Sequence, residues 1–323
     1  MEFTPPLEDR QPSRYHLEFW GKGNEYFSIM IVNWLLTLLT VGLYYPWARA
    51  KRLEYIYGNI SLDEHRFHFS GTGKEMFIGF IKLIGLYLAA MFVYAVLRYI
   101  GNSPLLAILF LYAAIFAFVP LAIHGAFRYR MSRLSYRGIR FGYRGDRNTL
   151  FREFLKGVLL TIVTLGIYAL WLEMNVRRYT VSHVRYGDVR FSSNCEGTEW
   201  FVINLKGYFL TIFTFGIYSF WWMKERFEYK VRTTTLYREE KKITCYSTAT
   251  GMDFLTLHLV NFLLVILTLG LGFAWAEMRT QKFYCKHIQL VGDIDTNTVV
   301  QTEESFTDAM GEDALDFMDI DIA

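Results

Sequence analysis

Proline is scarce in this chain of 323 residues, with only 6, and charged residues make up 20%, against about 25% in an ordinary soluble protein. The 3 cysteines, Cys195, Cys245 and Cys285, are scattered and form no CxxC pair, which argues against a zinc site or a disulfide framework. Lysine and arginine are absent after residue 292. Residues 293–323 hold ten acids and no base, which leaves 1–292 at a formal +13 within a net +3. No phosphate loop, dinucleotide fingerprint, nucleophile elbow or HExxH helix occurs. Nothing therefore specifies an enzyme, a cofactor or a metal, and the chain reads as non-enzymatic. The first 24 residues include Pro5, Pro6, Glu8, Asp9, Arg10 and Pro12, with no short apolar core or small-residue cleavage site. No cleavable signal is expected there.

What the chain has in quantity is apolar and aromatic residues. Hydrophobic residues make up 53% and aromatics 18%, with 28 Phe, 22 Tyr and 8 Trp. The mean hydropathy is +0.18. A helix needs about 20 mainly apolar residues to cross a bilayer. Runs 26–48, 99–127 and 254–276 contain no Asp, Glu, Lys or Arg; runs 76–97, 154–172 and 200–223 are broken only by Lys82, Lys156 and Lys206. Aromatics precede cations at the run ends, as with Tyr44, Tyr45 and Trp47 before Arg49, Lys51 and Arg52, the usual arrangement at a membrane boundary. The expected fold class is mainly α and integral to the membrane: about six apolar membrane helices built from internal repeats, with short β-hairpins at the water boundary.

The repeats are explicit. Thr, any residue, Gly, then Trp five positions after the Gly occurs four times: Thr40, Gly42 and Trp47; Thr164, Gly166 and Trp171; Thr214, Gly216 and Trp221; Thr268, Gly270 and Trp275. Thirteen residues after each Gly stands an aromatic: Tyr55, Tyr179, Tyr229 and Phe283. Nine residues before it stand Asn33, Gly157, Gly207 and Asn261. Alternating stretches 62–69, 134–141 and 183–191 predict β-hairpins. The organisation expected is an N-terminal tail 1–14, a repeat-built membrane domain 15–292 with units near 15–60, 61–133, 134–183, 184–240 and 241–292, and an acidic tail 293–323. In the second unit two complete spans joined at 101–104 replace the Thr-x-Gly element.

The Thr-x-Gly-Ile-Tyr-x-x-Trp blocks at Thr164–Trp171 and Thr214–Trp221, with Phe-x-Gly-x-Gly at Phe19 and Phe69, resemble the YjgN-like family of bacterial inner-membrane proteins of unknown function. The resemblance covers most of 15–290. It implies a multi-pass location in the bacterial cytoplasmic membrane and carries over no catalytic residues. The acidic tail lies outside it.

Polar groups within apolar runs are the candidate site, because they are costly in hydrocarbon: Lys82, Lys156, Lys206, His124, His258, Asn33 and Asn261. Converging on a wet cavity, they would serve a small-solute or ion permease, with the Thr-x-Gly breaks lining its path. Snorkelling to the interface, the lysines would leave a dry bundle. The protein would then be a membrane-anchored interaction or sensor protein whose basic hairpins bind lipid headgroups or a soluble partner under control of the acidic tail. Seven arginines between Arg128 and Arg147 point to anionic headgroups of the bilayer as partner rather than to nucleic acid; oligomeric state is not legible. Six simple spans place successive hairpins on opposite sides of the membrane, whereas Thr-x-Gly turns place them all on one. Labelling the three cysteines with an impermeant reagent would separate these topologies.

Overall fold

Four of the six apolar runs are not continuous helices. In the computed structural model, which describes residues 13–292 and 298–302, each breaks at its Thr-x-Gly. Helix α1 (Gly23–Leu39) turns into α2 (Tyr45–Gly58), α5 (Arg147–Val163) into α6 (Ala169–Ser182), α7 (Gly197–Phe213) into α8 (Ser219–Arg232), and α9 (Gly251–Leu267) into α10 (Phe273–His287). The break is a backbone event. The central pair of each turn is left-handed, at φ 51° and 89° for Val41 and Gly42 and close to these values at 165–166, 215–216 and 269–270. A glycine takes that conformation freely and an L-residue does not. The second unit has instead two long helices, α3 (Gly73–Ala95), extended by a π turn Val96–Ile100, and α4 (Pro104–Ser132).

The expected six membrane helices are thus corrected. Among the described residues two helices are long and apolar enough to cross a membrane, Gly73–Ile100 and Pro104–Ser132. Hydropathy overcounts because the turns are themselves apolar, so the runs continue through them.

The hairpins pair with one another in a single sheet, as the marginal stability of isolated two-stranded ribbons favours. Ten short strands, β1 (Arg14–Phe19), β2 (Ile60–Leu62), β3 (His65–Phe69), β4 (Leu134–Tyr136), β5 (Ile139–Tyr143), β6 (Val184–Tyr186), β7 (Val189–Ser193), β8 (Thr234–Arg238), β9 (Lys241–Ser247) and β10 (Ile288–Gly292), close into one antiparallel barrel. β1 closes it by pairing with both β2 and β10. Alternate side chains fill the interior, as in other small barrels. Tyr136, Phe141, Tyr143, Tyr186 and Val189 are buried there, with Phe141 and Tyr186 rings 4.8 Å apart and Phe67 and Tyr136 rings 4.9 Å apart. The Tyr136 hydroxyl donates to the Leu62 carbonyl at 2.7 Å.

Because tight turns join β2–β3, β4–β5, β6–β7 and β8–β9, every helical hairpin leaves the same end of the barrel. The helices form a closed ring in which each packs on its neighbours in sequence and α10 returns to α1. Side-chain contacts that skip a helix join the second helices of the hairpins: α8 to α6 through Lys230 and Glu173 at 2.8 Å, α10 to α2 through Glu277 and Arg52 at 2.5 Å, and α8 to α10 through the Phe227 and Tyr284 rings. The second helices α2, α6, α8 and α10 therefore lie inside, and the apolar first helices, with the long α4, form an outer belt.

Repeated offsets build the repeated joints. A Cβ on Gly73 would lie 2.3 Å from Trp47, on Gly197 2.0 Å from Trp171, on Gly251 2.4 Å from Trp221 and on Gly23 2.2 Å from Trp275. Each Trp thus packs on the opening glycine of the next hairpin, and the last reaches round to the first. The tyrosine thirteen after the turn glycine fastens the hairpin base. Tyr55, Tyr179 and Tyr229 each accept from the N–H and donate to the carbonyl of a residue 33 positions earlier, namely Lys22, Asp146 and Glu196, at 2.7–3.0 Å. Phe283 has no hydroxyl and packs on His287, ring centroids 4.6 Å apart.

Candidate functional site

The far end of the barrel, where the strand turns lie, holds a peptide segment. Residues 298–302 cross it. The Arg238 guanidinium donates to both the carbonyl and the hydroxyl of Thr298 at 2.5 Å while pairing with Asp188 at 2.8 Å. The Arg140 amide donates to the Gln301 side chain at 2.9 Å, and Arg144 donates to the Thr302 carbonyl at 3.3 Å. In return the Val300 amide donates to Asp188, and the Thr302 hydroxyl donates to the Gly187 carbonyl at 2.7 Å. Val299 is 7% exposed and joins the aromatic interior of the barrel. The fit depends on a glycine. Gly187 has φ +53°, and a Cβ there would stand 2.3 Å from the Val300 carbonyl oxygen.

Inside the ring, two carboxylates tie consecutive hairpins together. Glu277 accepts from Tyr26 at 2.8 Å and from Arg52, and is 8% exposed. Glu173 accepts from the Trp200 indole at 3.0 Å and from Lys230 at 2.8 Å. Tyr26 and Trp200 both stand three residues after the opening glycine of the next hairpin, so the two ties are equivalent. Charge-assisted bonds of this kind in a partly dry setting are stronger than neutral ones.

The residues expected to form an intramembrane site do not meet. Lys82, Lys156 and Lys206 stand at the same step of α3, α5 and α7, on three different hairpins, and all are exposed. Lys156 pairs with Glu153 at 3.0 Å and Lys206 with Glu225 at 2.7 Å, each within its own hairpin. His124 is buried against the Tyr143 ring, and His258 lies between Phe220 and Phe254. Asn261 donates to the Ala276 carbonyl at 3.3 Å and to Thr280 at 3.0 Å, bracing α9 on α10; Asn33 is buried in α1. At the same offset the other two hairpins carry Gly157 and Gly207, where Leu172 and Trp222 fill the space. Small faces large, and Asn faces small.

The threonines and glycines of the four repeats form the turns, and the four tryptophans form the joints between hairpins. The arginine run is divided. Arg133 is buried in a two-bond pair with Glu75, Arg137 pairs with Asp63, and Arg140 and Arg144 hold the crossing segment. Phe306, Met310, Leu315, Phe317 and Met318, apolar residues of the acidic tail, lie outside the described residues. The three cysteines are buried free thiols. Arg238 and Gly187 have no signal in the sequence that sets them apart, whereas Glu277 shares with Glu173 the position seven residues after the turn glycine.

A family model described as bacterial protein of unknown function (DUF898) matches residues 14–196 and 222–317. The chain belongs to this family. Among curated relatives, Inner membrane protein YjgN of Salmonella typhimurium is 30% identical over 157 residues, 48% of this chain and 38% of that protein. The protein of the same name from Escherichia coli strain K12 is 35% identical over 125 residues, 39% of this chain and 30% of that protein. The matched stretch spans well under half the length of these relatives. No solved structure matches. The YjgN-like resemblance read from the Thr-x-Gly blocks is thereby upheld.

Proposed function

We propose that this DUF898 chain is a bacterial inner-membrane protein that presents a basic peptide-binding face on its barrel, with its own residues 298–302 occupying that face at rest. The inner-membrane location rests on the names of the relatives and on the exposed apolar belt of first helices. Large exposed apolar surface needs a partner, and lipid supplies it. The interaction role rests on one observation: the crossing segment is held by the guanidinium groups of Arg144 and Arg238 and the backbone amide of Arg140 around a buried Val299. In sequence it is flanked by Asp293, Asp295, Glu303 and Glu304, so the ligand class is an acidic polypeptide with a small apolar residue at its centre. Cations at the helix bases, including Arg128, Arg130 and Arg152, suit anionic headgroups and keep these in the proposal. The permease reading has less to rest on, since Lys156 and Lys206 are neutralised on separate hairpins and side chains fill the barrel.

The test is hydrogen exchange in detergent or nanodiscs. Gly187→Ala, whose Cβ meets the Val300 carbonyl, should raise exchange at residues 298–302 at least tenfold, and high salt should raise it in the parent protein. Unchanged protection of 298–302 in Gly187→Ala would remove the basis of the proposal.

A further inference from the structure

The tips of the five helical hairpins are of two kinds. Four are the Thr-x-Gly turns. Their central residues Val41, Leu165, Phe215 and Leu269 are 92%, 93%, 97% and 95% exposed, which is where a turn in water carries Asn, Asp or Gly. Each also adopts φ near 50°, a conformation costly for such side chains.

Yet the amides of these turns need no water. In the first, the amides of Thr40, Val41, Gly42, Leu43 and Tyr45 donate to the carbonyls of Leu36, Leu38, Thr37, Thr40 and Gly42. The remaining amide, of Tyr44, donates to the Thr40 hydroxyl at 2.9 Å, and that hydroxyl donates to the Leu36 carbonyl at 2.7 Å. Tyr168, Tyr218 and Gly272 repeat the arrangement on Thr164, Thr214 and Thr268 at 3.0, 2.9 and 2.6 Å. The fifth tip shares the left-handed turn but differs in its side chains. It is Gly101-Asn102-Ser103-Pro104, preceded by Arg98 and Tyr99, with Asn102 at φ 45°, the turn chemistry suited to water.

Length separates them as well. The apolar part of α1, from Tyr26 to Leu39, rises about 21 Å at roughly 1.5 Å per residue, short of the roughly 30 Å of hydrocarbon. The stretch from Met76 to Leu97 rises about 33 Å by the same measure and ends on Arg98 and Tyr99, a cation and a ring of the kind found at an interface.

We infer that the four Thr-x-Gly turns are built to end inside the hydrocarbon, their exposed side chains covered by lipid acyl chains, and that the α3–α4 hairpin alone emerges on the far side. Irregular backbone survives in hydrocarbon only when its polar groups are satisfied internally, and every amide of the first turn, from Thr40 to Tyr45, is satisfied in this way. The molecule then enters the bilayer from the barrel side, crosses it twice, and lodges four re-entrant hairpins. This rests on the membrane location proposed above.

Single cysteines test it, because the three native thiols are buried and the parent protein serves as the blank. Asn102→Cys, Glu240→Cys at a barrel turn, Val41→Cys and Phe215→Cys are treated with an impermeant maleimide in intact cells and in inverted vesicles. Asn102→Cys and Glu240→Cys should label in opposite preparations, and Val41→Cys and Phe215→Cys in neither until detergent is added. Labelling of the tip cysteines in the Asn102→Cys preparation would overturn the inference while leaving the membrane location standing. Labelling of Asn102→Cys and Glu240→Cys in the same preparation would overturn the crossing itself. As a second readout, Phe215→Asp should lower membrane-inserted yield at least tenfold while Asn102→Asp leaves it unchanged. Equal yields would refute a hydrocarbon tip even if the cysteine variants fold poorly.

Discussion

Removing one oxygen from Tyr229 should loosen a hairpin that loses no apolar contact. Tyr229 is 1% exposed, and its hydroxyl accepts the Glu196 amide at 2.7 Å and donates to the Glu196 carbonyl at 2.9 Å. Tyr229→Phe deletes both bonds at once. Each is worth about 1 kcal/mol net, with more lost where water does not reach the abandoned groups, so the expected cost is about 2–3 kcal/mol. Tyr55→Phe removes the same pair of bonds to Lys22, plus one to Glu25, on a half-buried ring whose hydroxyl bonds are exposed to solvent. Water replaces them there, and the cost should stay near 0.5 kcal/mol. For a chain of this size a kilocalorie moves the melting temperature by roughly 2–4 °C. Thermal unfolding in detergent should therefore show a drop of about 4–12 °C for Tyr229→Phe and about 1–2 °C for Tyr55→Phe. Equal drops would refute the idea that burial of the clamp sets its worth.

Two further expectations follow from burial at the barrel. Burial pushes the Cys245 thiol up to about 12, and Cys195 and Cys285 are buried too. A maleimide at pH 7–8 should leave all three intact in the folded protein and modify them only on unfolding, so any native thiol reacting within minutes contradicts the packing. Burial also holds the His287 imidazole, which bonds the Thr248 hydroxyl at 3.1 Å, below its ordinary value. The unfolded chain then binds the proton more readily, with a value of about 6.5. Stability should be full above that pH and decline as pH falls below it. His287→Gln should flatten the decline, and an unaltered acid limb would contradict the assignment.

The sequence made the hairpins and their joints legible, but not their geometry. Hairpins at 62–69, 134–141 and 183–191 are near the observed β2–β3, β4–β5 and β6–β7. The Trp and Tyr offsets mark real joints between hairpins and at their bases. Membrane segments were overcounted because Val41, Leu165, Phe215 and Leu269 keep hydropathy high through turns that are in fact breaks. Barrel closure was invisible because β2, β4 and β6 are three residues long and the pairing of Arg14 with Val291 spans almost the whole described chain. Lys156 and Lys206 drew attention as charges in apolar runs, yet Glu153 and Glu225 neutralise them locally. Glu277 was obscured because its partners Tyr26 and Arg52 are more than 220 residues away.

Pairing of β1 on both sides has a consequence for biogenesis. During synthesis β1 is made first and finds β2 within about fifty residues, but its other edge stays open until β10 exists. Unpaired strand edges invite association with other chains, and multi-part folds expose such edges while incomplete. Trp275 on Gly23 and Glu277 on Tyr26 and Arg52 belong to the same late event. Closure of the ring thus waits on β10, and a ribosome stalled before residue 288 would leave the second edge of β1 open.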